Sequence, residues 1–259
     1  MRNTWLCCVV VCALFVTQGC REPSPDWNGT WKLNPSKSSY QGPVVTISIS
    51  TDGEYRYEDG NVIVTYRCDG RYRPIANNRT QACVRSSATM LDMTRMENGV
   101  KTNTYHWELS ADGKVFTSTV TAFRPGVPVT VGQVVSSRIS GSNDFAGRWR
   151  DTSFLQQHAD LTLRLDSQYL HIGYLSAGQY IDAPLDGVDA VVHGPYAPEG
   201  TTYAVRLAGR RKFLTLRKHN GKAFTQGSLE LSKNGRIITD SWWNPDRPTD
   251  KGTLVYEKK

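Results

Sequence analysis

Residues 27–32 read WNGTWK and residues 145–150 read FAGRWR, so a Gly-x-Trp triplet stands near the start of each half of the chain. Trp31 and Trp149 are 118 residues apart. Further matches keep this order at offsets of 117 to 122 residues: DG at 69–70 and 186–187, ENG at 97–99 and HNG at 219–221, LSADGK at 109–114 and LSKNGR at 231–236, and residues 132–138 and 252–258. Common turn sequences explain single matches but not the shared spacing. The chain of 259 residues is therefore predicted to be an internal duplication of a unit of about 115 residues.

Each copy has the residue pattern of antiparallel β-strands. Apolar and polar residues alternate at 46–50, 115–123 and 159–165, which is the period of a strand with one buried face. Asn-Gly and Asp-Gly pairs, which suit two-residue hairpin turns, separate such runs. No stretch has a sustained helical period with caps. We therefore predict an all-β protein with little helix, whose two tandem domains cover residues 27–140 and 144–259.

The N-terminal segment, residues 1–19, is predicted to be a signal peptide. A positive Arg2 precedes an apolar run at 5–16, which is shorter than the about 20 residues that a membrane-spanning helix needs. The Gly19-Cys20 junction resembles the lipobox of bacterial lipoproteins, which implies that Cys20 becomes the lipidated N-terminus. Cleavage after Gly19 without lipidation is the alternative. Residues 20–26 then form a polar tether, and we expect an exported protein that is lipid-anchored in a bacterial cell envelope and faces the periplasm or the cell surface.

The cysteines sort into two groups. Three of the six leave with the signal peptide, and the mature chain keeps Cys20, Cys68 and Cys83. Because export places the chain where disulfides persist, we predict a disulfide between Cys68 and Cys83, with two buried free thiols as the alternative. The second copy has no cysteine at the matching positions, so the bond is expected to be a local staple.

The Gly-x-Trp triplets resemble the signature of lipocalin and calycin barrels, and residues 29–38 also resemble lipocalin-like bacterial envelope proteins. The resemblance implies two β-barrels, each closed at one end by a tryptophan under a basic residue of the last strand. A cation over an indole ring contributes about 0.5–2 kcal/mol. The residues that would form these closures are Gly29, Trp31, Arg138, Gly147, Trp149 and Lys258. The resemblance further implies an apolar or amphipathic small ligand, without naming it.

No catalytic motif is recognisable in the mature chain. It has no Gly-x-Ser-x-Gly, no His-Glu-x-x-His, no phosphate-binding glycine loop and no Cys-x-x-Cys. Its histidines have no spacing typical of metal ligands: His106, His158, His171, His193 and His219. We therefore predict no catalytic residue, no metal site and no cofactor, and a protein that is not an enzyme. An unrecognised hydrolase remains the third interpretation, because any two carboxylates can meet in space.

Two aromatic segments bear on the partners. Residues 66–73 interleave tyrosines with arginines, but we expect an exported protein to meet no nucleic acid and interpret the segment as a hairpin. Trp242 and Trp243 are expected to be packed, with an exposed sugar platform as the alternative. The net charge of +7 suits anionic surfaces such as lipid headgroups. The leading hypothesis is a non-enzymatic lipoprotein that binds an apolar or amphipathic small ligand and touches the membrane through its anchor. The alternative is a structural or carbohydrate-contacting envelope module without a cavity, and the oligomeric state stays open.

Overall fold

The computed structural model of the protein describes residues 25–59, 62–76, 78–126, 129–141, 144–156, 160–194 and 197–259. Within them the regular structure consists of strands, apart from two short 3-10 turns at Pro35–Lys37 and Leu175–Ala177. None of the helical segments described is long and apolar enough to cross a membrane. The predicted signal peptide and Cys20 lie outside the described residues. The prediction of an all-β fold with two antiparallel barrels is confirmed.

The chain begins with β1 (Gly29–Leu33) and β2 (Ser39–Gln41) and then forms a nearly closed ten-stranded barrel, called barrel 1. The strands of barrel 1 are β3 (Val44–Ile49), β4 (Glu54–Glu58), β5 (Ile63–Arg67), β6 (Arg73–Ala76), β7 (Arg79–Ser87), β8 (Met90–Glu97), β9 (Val100–Leu109), β10 (Val115–Ala122), β11 (Thr130–Gly141) and β12 (Gly147–Gln156). From β7 to β12 each strand pairs with the next, as the hairpin turns predict.

The remaining strands form barrel 2. They are β13 (Leu161–Leu165), β14 (Tyr169–Tyr174), β15 (Gln179–Pro184), β16 (Asp186–Val191), β17 (Thr201–Gly209), β18 (Lys212–His219), β19 (Lys222–Leu231), β20 (Ile237–Asn244) and β21 (Arg247–Lys258). Nine strands leave a gap between β13 and β21, which β1 fills from the N-terminus of the chain. β2 adds to the outer edge of β21.

The two Gly-x-Trp strands are therefore exchanged between the barrels. In β1, Trp31 lies opposite Leu161 on one side and Lys258 on the other, both in the second half of the chain. In β12, Trp149 lies opposite Val45 of β3 and Arg138 of β11. Barrel 1 is thus one continuous segment, 44–156, which is inserted into barrel 2 after β2.

This connectivity corrects the predicted domain boundaries. A domain at 27–140 would lack β12, and a domain at 144–259 would lack β1. The physical reason lies in the duplication itself. Because both strands carry the same Gly-x-Trp triplet, the motif suits the gap between a last strand and a second strand in either barrel. Local sequence does not determine which gap it fills.

The predicted disulfide is confirmed and lies at the seam of barrel 1. Cys68 follows β5 and Cys83 lies in β7, and their sulfur atoms are bonded with the Cα atoms 4.2 Å apart. The amide of Gly70 also donates to the carbonyl of Cys83 at 2.8 Å. The staple therefore joins the two ends of the ten-stranded sheet, the place where a nearly closed barrel is weakest. In barrel 2 the corresponding seam is held by the amide of Leu207, which donates to the carbonyl of Leu185 at 3.1 Å.

Candidate functional site: two barrel cavities

In barrel 1, Trp149 of β12 is completely buried. Its indole Nε1 donates to the carbonyl of Phe145 at 3.0 Å. The guanidinium carbon of Arg138 lies 3.9 Å from the centre of the indole ring. Arg138 also donates to the carbonyls of Gly113, Ala146 and Asp144. At Gly147 a side chain would come within 2.3 Å of the carbonyl of Ser140, so the close approach requires glycine.

Barrel 2 has the same arrangement around Trp31, which is also completely buried. Its Nε1 donates to the carbonyl of Trp27 at 3.1 Å, and Lys258 Nζ lies 5.3 Å from the ring centre. Lys258 Nζ also donates to Asp26 at 2.7 Å. Each basic residue thus covers the tryptophan of the other copy in the sequence, because the first strands are exchanged. Gly29 allows the close approach here, since a Cβ would lie 3.2 Å from Lys258 Cε.

The interior of each barrel holds a cavity. Cavity 1, in barrel 1, has a volume of about 330 Å3, and cavity 2, in barrel 2, has about 360 Å3. Both volumes fall in the range of small-molecule sites. The walls of cavity 1 include Val45, Val64, Met93, Trp107, Phe116 and Val120, and those of cavity 2 include Leu33, Tyr174, Tyr203, Trp242, Leu254 and Tyr256.

One charged position is the same in both cavity linings. Arg95 of β8 and Arg217 of β18 are 122 residues apart, and each lies opposite the matching residue of the next strand, Asn103 or Thr225. Both arginines line their cavities. The prediction of site residues from sequence missed this pair. The sequence does contain a signal for it. In each strand the arginine continues the every-second-residue pattern of side chains that point into the barrel, and the two arginines are separated by the repeat offset.

Arg95 is held by neutral groups. Its Nε and Nη2 atoms donate to Oε1 of Gln81 at 3.2 and 3.0 Å, and its guanidinium lies 4.9 Å from the ring centre of Tyr105. Gln81 itself is buried. Among the described residues no carboxylate forms an ion pair with Arg95. Two of its five N–H groups are used, so the guanidinium keeps donors for another acceptor.

Arg217 lies between tyrosines. Its guanidinium is 5.3 Å from the ring centre of Tyr174 and 5.0 Å from that of Tyr203, and Nη2 donates to the hydroxyl of Tyr174. Asp240 also lines this cavity. Burial raises the pKa of Asp240 to about 6, and the positive charge of Arg217 acts in the opposite direction. Both side chains face the barrel interior rather than bulk solvent.

Cavity 1 has its acidic groups on other walls. Asp151 of β12 is 8% exposed and accepts a hydrogen bond of 2.6 Å from Ser136 Oγ. Burial raises the pKa of Asp151 to about 6; the Ser136 hydrogen bond opposes this shift, and Asp59 adds repulsion. Three strands, β9 to β11, separate β12 from β8, which carries Arg95. The cavity is therefore polarised, with a cation on one wall and carboxyl groups on another.

Cavity 2 is completed by residues from outside barrel 2. Tyr40 of β2 and Phe154 of β12 line it, with their ring centres 5.9 Å apart, and Tyr40 also lies 5.7 Å from Trp242. An ion pair fastens this junction, because Arg150 Nη1 donates to Gly42 O at 2.8 Å and to Asp250 Oδ1 at 3.0 Å. The position of barrel 1 therefore shapes the wall of cavity 2.

None of the described histidines lines either cavity. His106 bonds to Asp92 at 2.7 Å on the barrel surface, and His171 lies between Asp166 and Asp182. His158 lies outside the described residues. No group of three or more His, Cys, Asp or Glu residues in the described part of the chain is arranged to hold a metal ion. Trp243 is 39% exposed, whereas Trp242 lines cavity 2.

Comparisons of the chain with protein families, with curated proteins and with solved structures give no match.

Proposed function

We propose that this protein binds amphipathic small molecules inside its two barrels, with the polar end of the ligand at the interior arginine. The observation that carries the proposal is the pair Arg95 and Arg217, which occupies the same interior position in both cavities. A guanidinium inside a barrel is costly when part of its hydrogen-bonding capacity is unused, and a ligand acceptor offsets part of that cost. The apolar and aromatic walls suit an alkyl chain or ring.

The setting supports the same interpretation. The two nearly closed barrels, each with a buried Gly-x-Trp closure, agree with a lipocalin-like type, for which an apolar or amphipathic ligand is expected. Within the proposal the chain is exported and anchored in a bacterial envelope through Cys20. A membrane close to the barrels is a source of amphiphiles. The competing function, a structural or carbohydrate-contacting module, needs no interior polar group at a repeated position.

Native mass spectrometry of the isolated protein tests the proposal, with 1-decanol and decanoate as probes. The internal repeat supplies cavity-filling variants. Val120→Trp introduces the residue that barrel 2 has at the matching position (Trp242), and Thr215→Met introduces the residue of barrel 1 (Met93). Each variant is expected to remove the bound probe from one cavity.

The control is Val100→Trp, which adds the same bulk at an exposed position of barrel 1 and is expected to leave binding unchanged. Circular dichroism confirms that each variant is folded. Binding of neither probe to the parent protein, or equal binding to the parent and both filled variants, would refute the proposal and favour a module without a ligand.

A further inference from the structure

We infer that the two cavities select head groups of different charge: cavity 1 takes an anionic head group, cavity 2 takes a neutral one, and the matched residues Ser118 and Asp240 set the difference. This inference rests on the proposed function and adds the chemical class of each ligand. Ser118 lies opposite Val134 in β11, and Asp240 lies opposite Leu254 in β21, so the two occupy the same place in their barrels.

The strand between the arginine and the Ser118 or Asp240 position also differs between the two barrels. In barrel 2, Arg217 lies opposite Thr225 of β19 and Asp240 lies opposite Leu229, with Gly227 as the interior residue between them. Gly227 has no side chain, so nothing from β19 separates the cation from the carboxylate. A Cβ at Gly227 would come within 2.2 Å of the carbonyl of Ser241, so the gap cannot be filled there. Arg217 and Asp240 both line cavity 2, and the positive charge of Arg217 acts to lower the pKa of Asp240.

In barrel 1 the same three places are Arg95, Tyr105 and Ser118. The ring of Tyr105 fills the gap, and the guanidinium of Arg95 lies over it. A hydroxyl replaces the carboxylate, so the wall around Arg95 carries one positive charge and neutral hydrogen-bonding groups. A carboxylate, sulfonate or phosphate head group placed there gains charge-assisted hydrogen bonds.

The remaining charged groups do not reverse this difference. In cavity 2, Asp160 is paired with Lys259 at 2.6 Å, which leaves Arg217 and Asp240 as opposite charges on one wall. An anionic ligand would compete with Asp240 for Arg217, whereas a hydroxyl or carbonyl accepts from Arg217 without bringing a second negative charge. In cavity 1, Asp59 follows β4 and Asp151 lies on β12, so neither carboxylate occupies the place relative to Arg95 that Asp240 takes relative to Arg217.

The test counts bound molecules of a matched pair of probes, decanoate and 1-decanol, by native mass spectrometry of the full protein at pH 7.5. We expect one decanoate per chain and two molecules of 1-decanol. Arg95→Gln should remove the decanoate, and Arg217→Gln should not. Asp240→Ser, which introduces the residue of barrel 1, should raise decanoate binding from one to two per chain. Asp240→Asn keeps the shape of the side chain and should have the same effect.

The reciprocal change is Ser118→Asp, which should weaken decanoate binding in cavity 1 by about tenfold or more, the scale of one hydrogen bond to a charged group. Ser118→Asn controls for the added volume and should leave decanoate binding close to that of the parent. Two decanoates bound to the parent, or one bound to both Asp240 variants when they are folded, would overturn the inference while the proposed function stands. Absence of both probes from the parent would instead refute the proposed function.

Discussion

Trp31→Ala and Trp149→Ala are matched variants whose effects should appear in the opposite half of the chain. Both indoles are completely buried. Replacing a buried tryptophan with alanine costs about 3–5 kcal/mol, because apolar contacts are lost and a cavity remains. A domain of this size is stable by about 5–15 kcal/mol, so one substitution removes a large part of the stability of one barrel. Each substitution also removes the cation–π contact of the indole ring. The added cost should be larger for Trp149, whose ring centre is 3.9 Å from Arg138, than for Trp31, whose ring centre is 5.3 Å from Lys258.

Hydrogen exchange with mass spectrometry locates the destabilised barrel. Trp31→Ala should speed exchange in β18 and β19 (212–231) by about a hundredfold to a few thousandfold, the factor that corresponds to 3–5 kcal/mol. Strands β9 and β10 (100–122) should change little. Trp149→Ala should give the reverse pattern. If each variant instead destabilised the half of the chain in which it lies, the exchange of first strands would be refuted. Losses below about 1 kcal/mol would show that the indoles do not support the closed ends.

Three further predictions follow from the same contacts. The segment 43–156 should fold cooperatively alone, whereas 144–259 should not, because β1 with Trp31 is missing; circular dichroism and thermal melts of the two segments check this, and a cooperative melt of 144–259 alone would contradict it. Reduction of the Cys68–Cys83 bond should destabilise barrel 1 by about 3 kcal/mol on the chain-entropy estimate for a loop of this length and leave barrel 2 unchanged, and a shift of both melting transitions would be the wrong result. The pKa of Asp151 is raised to about 6, so the folded protein holds that proton more tightly than the unfolded chain does. This contribution to the free energy of unfolding is therefore present below about pH 4 and is lost as the pH rises to about 6; Asp151→Asn should remove this slope in urea titrations, and an unchanged slope would exclude Asp151 as its source.

The sequence by itself determines the class of the fold and its duplication. Alternation in runs such as 115–123 and Asn-Gly or Asp-Gly pairs at the turns are local signals, because each depends only on which residues are a few positions apart. The Cys68–Cys83 bond belongs with them, since the two cysteines lie within one turn-rich stretch of a chain predicted to be exported. The tryptophans of the Gly-x-Trp triplets were likewise expected at closed barrel ends, and both are buried.

Tertiary structure alone decided which first strand closes which barrel. β1 and β12 share the Gly-x-Trp triplet that carries the buried tryptophan, so this motif by itself does not distinguish the two connections. The cavities also appear only in three dimensions, because alternation says which side chains point inward but not whether they fill the space. The charges around Arg95 and Arg217 depend on the register of three consecutive strands, as the pairing of Gly227 and Asp240 with their neighbours shows. Closure of a sheet on itself is a long-range event, and it places together groups that no local pattern connects.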